Sequence, residues 1–211
     1  MSSFLRELRD ADAEAVAALF VEAFGDARRL DAEEIRSWIN QPQRAKKLRR
    51  EVGRWNQLCS CLDTLQQTEL AMQAYASSPS KVGSGEHYLA LYGLLQAMVL
   101  QQDAVCHLDE ALGGAGTAVG SDRHLQDIRK IRNVSVGHPT KVDRRDVMSH
   151  HYISRPKIGK GFELVSAFDD GRRQFTFVSL AQLLRKQKLS VARMLRGIVK
   201  NLDHDATMKT V

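Results

Sequence analysis

Residues 86–112 constrain this chain more than any other stretch. Leu89, Leu91, Leu94, Leu95, Met98, Val99, Val105 and Leu108 put apolar side chains on nearly every face of one long helix, about Glu86 to Leu112. A helix apolar all round has to be enclosed, because water would otherwise meet hydrocarbon on every side. Lipid is not the enclosure, since no apolar run approaches the roughly 18 residues that cross a bilayer. The rest of the chain therefore supplies the walls. Its 211 residues, 43% of them hydrophobic, suffice for one domain of ordinary size plus an appendage.

The walls are legible on both sides of that segment. From Arg44 to about Ser77 the spacing predicts a long helix with a basic start (Arg44, Lys46, Lys47, Arg49, Arg50) and an apolar later half, broken by Ser78-Pro79-Ser80. Downstream, Gly113 to Gly120 (GGAGTAVG) reads as a flexible connector, because no strand precedes it as a nucleotide loop would require. Asp122 or Ser121 then caps a third helix striped by Leu125, Ile128, Ile131 and Val134. Short β-type runs follow, HHYISR and FELVSAF, then Asp170-Gly171 as a hairpin turn and QFTFV. Alternation puts Phe162, Leu164 and Phe168 on one face. A final amphipathic helix covers about Ser179 to Leu202. The expected fold is mainly α, an antiparallel helical bundle over residues 44–211 with a small β-hairpin inserted before the last helix.

Residues 1–43 read differently. They carry five Lys/Arg against nine Asp/Glu, whereas the remainder carries 26 against 16. Asp10 or Asp12 caps a first short helix through Val16, Leu19, Phe20 and Ala23, which Gly25 stops. Asp31-Ala-Glu-Glu34 has the form of a capping box and opens a second helix through Ile35 and Trp38, before Gln41-Pro42-Gln43 interrupts. This opening resembles the N-terminal helices of GNAT-type acetyltransferases. The nearest string to that family's acetyl-CoA loop, Ser80-Lys-Val-Gly83-Ser-Gly85, has Ser at the first position and follows a helix, so the segment reads as an acidic accessory arm. The start lacks the basic-then-apolar plan of a signal peptide. Cys59, Cys61 and Cys106 have no second Cys/His pair at zinc spacing and read as reduced thiols. A soluble cytoplasmic protein is expected, with no membrane segment, cofactor loop or metal-ligand set.

The basic body attracts polyanions such as RNA, and one stretch of it carries chemistry. In RNVSVGHPTK, Arg132 to Lys141, Arg132 and Asn133 precede His138, which stands between Gly137 and Pro139. Arg132 lies about 100° round from Ile131, at the edge of the buried stripe, and His138 about 240° from Arg132 on an ideal helix. Gly137 permits a helix-ending left-handed conformation, and the residue before a proline is steered out of the α region. His138 is thereby free to swing toward Arg132 or toward a partner subunit, with Asn133 orienting either side chain. An imidazole titrating near neutrality can take or give a proton, and a guanidinium stabilises charge on phosphoryl oxygens. This chemistry suits cleavage of RNA by its own 2′-hydroxyl without a metal. A two-fold dimer would supply two of each at one interface.

Arg132-Asn133 followed by four residues and His138 resembles the R-(polar)-x4–6-H signature of HEPN domains, all-helical bundles found in bacterial toxin and phage-defence ribonucleases. The surrounding LYGLLQAMVLQQDAVCHL, LQDIRKIRNVSVGHPTK and HYISR are similar to an uncharacterised bacterial branch of that superfamily, over roughly residues 85–205. The resemblance implies a homodimer with facing motifs, RNA cut to a 2′,3′-cyclic phosphate, Arg132 and His138 as catalytic residues, Asn133 in support, and a cognate antitoxin protein as a partner. Family toxins silenced by adenylylation carry a Tyr two residues after the His; here that place is Thr140.

Arg129, Lys130, Lys141, Arg144 and Arg145 are positioned by sequence to line an RNA track, or to form a solvated basic face. Asp127 and Asp143 are the carboxylates with which Arg132 would pair if its role were structural, and His138 would then cap a helix end. His150 and His151 read as strand-start residues, and Trp38, Trp55 and Tyr92 as core or interface. Two functions from different classes follow: a metal-independent endoribonuclease, or a catalytically silent helical module that dimerises and binds RNA, a nucleotide or a partner protein.

Overall fold

The computed structural model describes residues 27–77, 83–114, 118–137, 139, 142–144, 147–154 and 161–208, with backbone alone for 27–31, 118, 142–144, 147 and 203–208. Helix α1 (Ala27–Ile39) begins four residues before Asp31. Asp31 therefore sits inside the helix and not at its cap. The first expected helix, around Val16 and Phe20, lies outside the described residues. Ile35 and Ile39 are fully buried against Leu58, Leu62, Val191 and Leu195, so the described part of the acidic arm packs on the bundle.

The long helix expected from Arg44 is two. Helix α2 (Pro42–Leu48) has proline in its first turn, where a missing N–H costs nothing. The chain then turns tightly, the Arg50 and Glu51 amides donating to the Lys47 and Leu48 carbonyls at 3.2 and 3.0 Å. Helix α3 (Val52–Ser77) follows. The turn lets Leu48 and Ile39 enter the cluster that contains Leu58, which a straight helix from Arg44 would prevent. Tertiary burial outweighs local propensity here.

Helix α4 (Gly85–Ala111) is the apolar segment, N-capped by Ser84, whose hydroxyl accepts from the His87 amide at 3.2 Å. It runs antiparallel to α3: Gln57 reaches the His107 carbonyl and Gln101 reaches Glu69. Its first half enters one core cluster (Leu91, Leu94, Leu95, Met98) and its second half the other (Val105, Leu108). The enclosure has a gap. Leu89 is 74% exposed, Leu100 42% and Tyr92 39%, all on the face that also carries Gly93 and Gln96.

Only part of the glycine-rich connector is irregular among the described residues, since Ala118–Ser121 forms a single helical turn, α5. Helix α6 (Arg123–Arg132) continues into a π-helical turn, Asn133–Gly137. The β region exceeds the expected hairpin. Strands β1 (Val142–Arg144), β2 (Val147–Ser154), β3 (Gly161–Phe168) and β4 (Arg173–Ser179) form an antiparallel meander in the order β1-β2-β3-β4. Strand β1 has three residues, too few to alternate visibly. Gly171, at φ +82°, makes the β3–β4 turn, and Asp170 accepts from the Arg172 amide at 3.0 Å. Phe162, Leu164 and Val178 lie on the inner face and join the first core cluster. Helix α7 (Leu180–Met208) lies along α4, and its Leu183 and Leu184 join the first cluster, Val191 and Leu195 the second. The chain is mainly helical with this small antiparallel sheet. Among the described residues no helix is long and apolar enough to cross a membrane, and Cys59, Cys61 and Cys106 form no disulfide.

Candidate functional site

Helix α6 is fixed at its start and along one side. The Asp122 carboxylate caps it, accepting from the His124 and Leu125 amides at 2.8 and 3.2 Å, and pairs with Arg193 of α7. Burial alone would raise the Asp122 pKa. The hydrogen bonds from Ser190 and from the Leu125 and His124 amides, together with Arg193, outweigh burial and hold the carboxyl below its ordinary value. Leu125 and Ile128 are fully buried, which sets the rotation of the helix and turns Arg129 and Arg132 toward α4.

Arg132 donates from Nε and Nη2 to Gln96 Oε1 of α4 at 2.9 and 2.6 Å, and from Nη1 to Asn133 Oδ1 at 2.9 Å. Both partners are neutral amides. Among the described residues Arg132 forms no ion pair with a carboxylate, and Asp127 is taken by Lys130 at 3.4 Å. A guanidinium held by amide oxygens has a fixed plane and keeps its full positive charge. Five N–H groups are available to arginine, and these bonds use three, leaving one on each Nη.

The π turn explains the local geometry. Hydrogen bonding from i to i+5 widens the helix and brings residues five apart over one another, here Arg132 and Gly137. A Cβ on Gly137 would stand 3.0 Å from Arg132 Nη1 and 3.7 Å from Asn133 Oδ1. The left-handed conformation expected of Gly137 is not what the glycine serves, since its φ is not positive. It gives the guanidinium room. Ser135, inside the same turn, is buried, and its hydroxyl has no hydrogen-bond partner among the described residues.

His138 lies outside the described residues. Its neighbours do not: Gly137 closes the π turn, and the Pro139 carbonyl accepts from the His151 amide of β2 at 2.6 Å. The motif is therefore fastened to the helix on one side and to the sheet on the other.

Comparison of the chain with protein-family profiles, characterised proteins and solved structures finds no match.

The other basic residues divide. Arg129 donates from Nε to Gln102 Oε1 at 2.8 Å and pairs with Asp103, so much of its guanidinium is used within the bundle. Gln102 is part of a buried amide chain, donating to Gln187 Oε1 at 2.8 Å, while Gln187 donates to Gln101 Oε1 at 3.0 Å and to the Met98 carbonyl at 2.9 Å. Lys130 is exposed beside Asp127. Arg144 ends β1, where its backbone pairs with Val147, but its side chain lies outside the described residues, as do Lys141 and Arg145 altogether.

His150 and His151 stand in the middle of β2, not at its start. His151 Nδ1 lies 2.8 Å from Ser166 Oγ and its Nε2 3.1 Å from Ser149 Oγ, while His150 faces Asp169 at 3.5 Å. No group of three or more metal-ligating side chains is found among the described residues. Gln96 is the site residue that sequence reasoning missed. Its one signal is an amide in the apolar run LYGLLQAMVL, and nothing in the sequence pairs it with an arginine 36 residues away.

Proposed function

We propose that this chain is a metal-independent endoribonuclease of HEPN type, a bacterial toxin or defence effector that works as a homodimer. The observation that carries the reading is Arg132, oriented by Gln96 and Asn133 with its charge uncompensated among the described residues and with N–H groups left over. Such a group suits a phosphodiester, whose nonbridging oxygens accept from a guanidinium fork. His138, one residue beyond the glycine that gives Arg132 room, supplies the proton chemistry.

In the proposed reaction the ribose 2′-oxygen attacks the adjacent phosphorus as one imidazole takes the 2′-hydroxyl proton. The bond from phosphorus to the 5′-oxygen breaks, and a second imidazole protonates that oxygen. The products are a 2′,3′-cyclic phosphate and a 5′-hydroxyl. Arg132 stabilises the charge that builds on the phosphoryl oxygens.

One imidazole cannot hold and release protons at both oxygens at once, so a second chain completes the site. The exposed face of α4 supports that assembly. Leu89, Tyr92 and Leu100 share it with Gln96, the residue that holds Arg132, and an apolar patch of that kind marks an interaction surface. Lys130, Lys141, Arg144 and Arg145 then serve as phosphate contacts along the RNA, and Arg129 anchors α6 to α4. A cognate antitoxin would be a further partner.

Product analysis tests the reading. RNA incubated with the protein in excess EDTA should acquire 2′,3′-cyclic phosphate and 5′-hydroxyl ends. Ends bearing 3′-hydroxyl and 5′-phosphate, or no cleavage of any RNA offered, would contradict it.

A further inference from the structure

A second cationic surface lies at the elbow where α1, α2 and α3 meet. Arg44, Lys46, Lys47, Arg49 and Arg50 fall within seven consecutive positions, and none of them forms an ion pair among the described residues. Two acids of α3 and its approach are engaged elsewhere, Glu51 with Arg54 at 3.6 Å and Asp63 with Arg36 at 3.0 Å. An open cavity of about 550 Å³ sits here, lined by Asn40, Pro42, Ala45, Lys46, Arg49 and Arg50.

Two of the five cations are held in place. The Arg44 guanidinium stacks 4.1 Å from the centre of the Trp38 ring, and the Arg49 guanidinium 4.8 Å from that of Trp55. Both indoles pack on the second core cluster, so the platforms are part of the bundle. Stacking fixes the plane of a guanidinium and leaves its N–H edge to bind oxygen, which lowers the entropy lost on meeting a phosphate.

We propose that this elbow binds the phosphodiester backbone of a nucleic acid. Charge decides the class of partner: five clustered cations and a basic cavity suit a chain of regularly repeated anions. The surface is poorly suited to a membrane, because among the described residues Val52 is the one large apolar side chain exposed at it, at 64%, and offers little to insert. The elbow is also remote from Arg132. Arg54 of α3 donates to the Ala111 carbonyl at the end of α4, and Gln96 lies about 22 Å back along that helix. The proposal therefore stands independently of how Arg132 is read.

The test uses the full chain and a labelled 2′-O-methyl RNA oligonucleotide, which cannot be cut through its 2′-oxygen. Binding is followed by fluorescence anisotropy as KCl is raised. Each side chain that no longer neutralises a phosphate of the single strand lowers the salt slope by about 0.7. The variant Lys46→Gln/Lys47→Gln/Arg50→Gln should therefore lower the slope by about 2 and weaken binding by about tenfold or more. Lys46→Gln alone, which leaves the core untouched, should lower it by about 0.7. A control of the same charge change on other exposed positions, Arg123→Gln/Arg185→Gln/Lys200→Gln, should bind nearly as well as the parent. Equal losses in both triple variants would reduce the effect to net charge and overturn the proposal, as would no loss in the elbow variants. Competition by anionic vesicles or polyglutamate as strong as by the RNA, at equal charge concentration, would overturn the choice of partner.

Discussion

Gln96 Oε1 accepts two hydrogen bonds from Arg132, at 2.9 and 2.6 Å, and so orients a guanidinium without neutralising it. This distinction can be measured. Gln96→Glu keeps an acceptor at the same place but adds a counter-charge, and should lower RNA cleavage at least as much as Gln96→Leu. A charge-assisted hydrogen bond contributes about 1.5–3 kcal/mol, so a loss of roughly 10- to 100-fold is expected in kcat/KM. If Gln96 only packed α4 against α6, Gln96→Glu would retain activity.

Gly137 separates fold from function in the same way. Its φ is not positive, so alanine should fit the backbone and on entropic grounds add up to about 1 kcal/mol of stability. The new methyl group would press on Arg132 Nη1, which stands 3.0 Å from the Cβ position. Gly137→Ala is expected to cost about tenfold or more in cleavage rate while thermal unfolding stays close to that of the parent, the entropic gain offsetting the disturbed Arg132 bonds. Unfolding at a markedly lower temperature would show that the glycine is needed by the fold itself.

Arg129 and Lys130 are adjacent but should behave differently. Arg129 is tied to Gln102 and Asp103, and through Gln102 to the buried amide of Gln187. Arg129→Ala leaves Gln102 Oε1 short of a donor, at an expected cost of about 1–3 kcal/mol in urea unfolding. Lys130→Ala should leave stability within about 0.5 kcal/mol and weaken RNA binding alone. Equal stability in the two variants would contradict the network.

Asp122 gives a pH dependence of definite sign. Its carboxyl is held below the ordinary value, so the ionised form is favoured by the folded state. The stabilisation is complete above the unfolded-state pKa, about 3.9, and is lost as pH falls through the lower folded value. Asp122→Asn should flatten urea stability against pH in that acid window, and Asp122→Ala should also remove the cap, costing about 1–2 kcal/mol at neutral pH. A variant as acid-sensitive as the parent would show that other carboxyls govern acid unfolding.

What the sequence discloses and what it withholds follow from the range of the interactions. Leu91, Leu94, Leu95 and Met98 announce a buried helix because burial repeats every turn, and Asp122 announces a cap because the cap is local. The turn at Arg49–Glu51 is invisible from propensity, since it is set by where Ile39 and Leu48 meet Leu58. The exposure of Leu89 and Leu100 is equally hidden, because apolar spacing does not say which neighbours arrive. In the site, Arg132 and Asn133 are neighbours and their bond is a local one. The Gln96 bond spans 36 residues and leaves no local trace. The π turn escapes as well, and with it the reason for Gly137, because an ideal helix puts residue i+5 elsewhere than over residue i.

Cleavage of RNA in excess EDTA by the parent chain, Arg132→Ala and His138→Ala, each checked for its oligomeric state, tests the central claim most directly. The parent should cut RNA as a dimer, and each substitution should slow cutting by about 100-fold or more with the dimer intact. Equal rates in all three proteins would contradict the assignment of Arg132 and His138 as the active site.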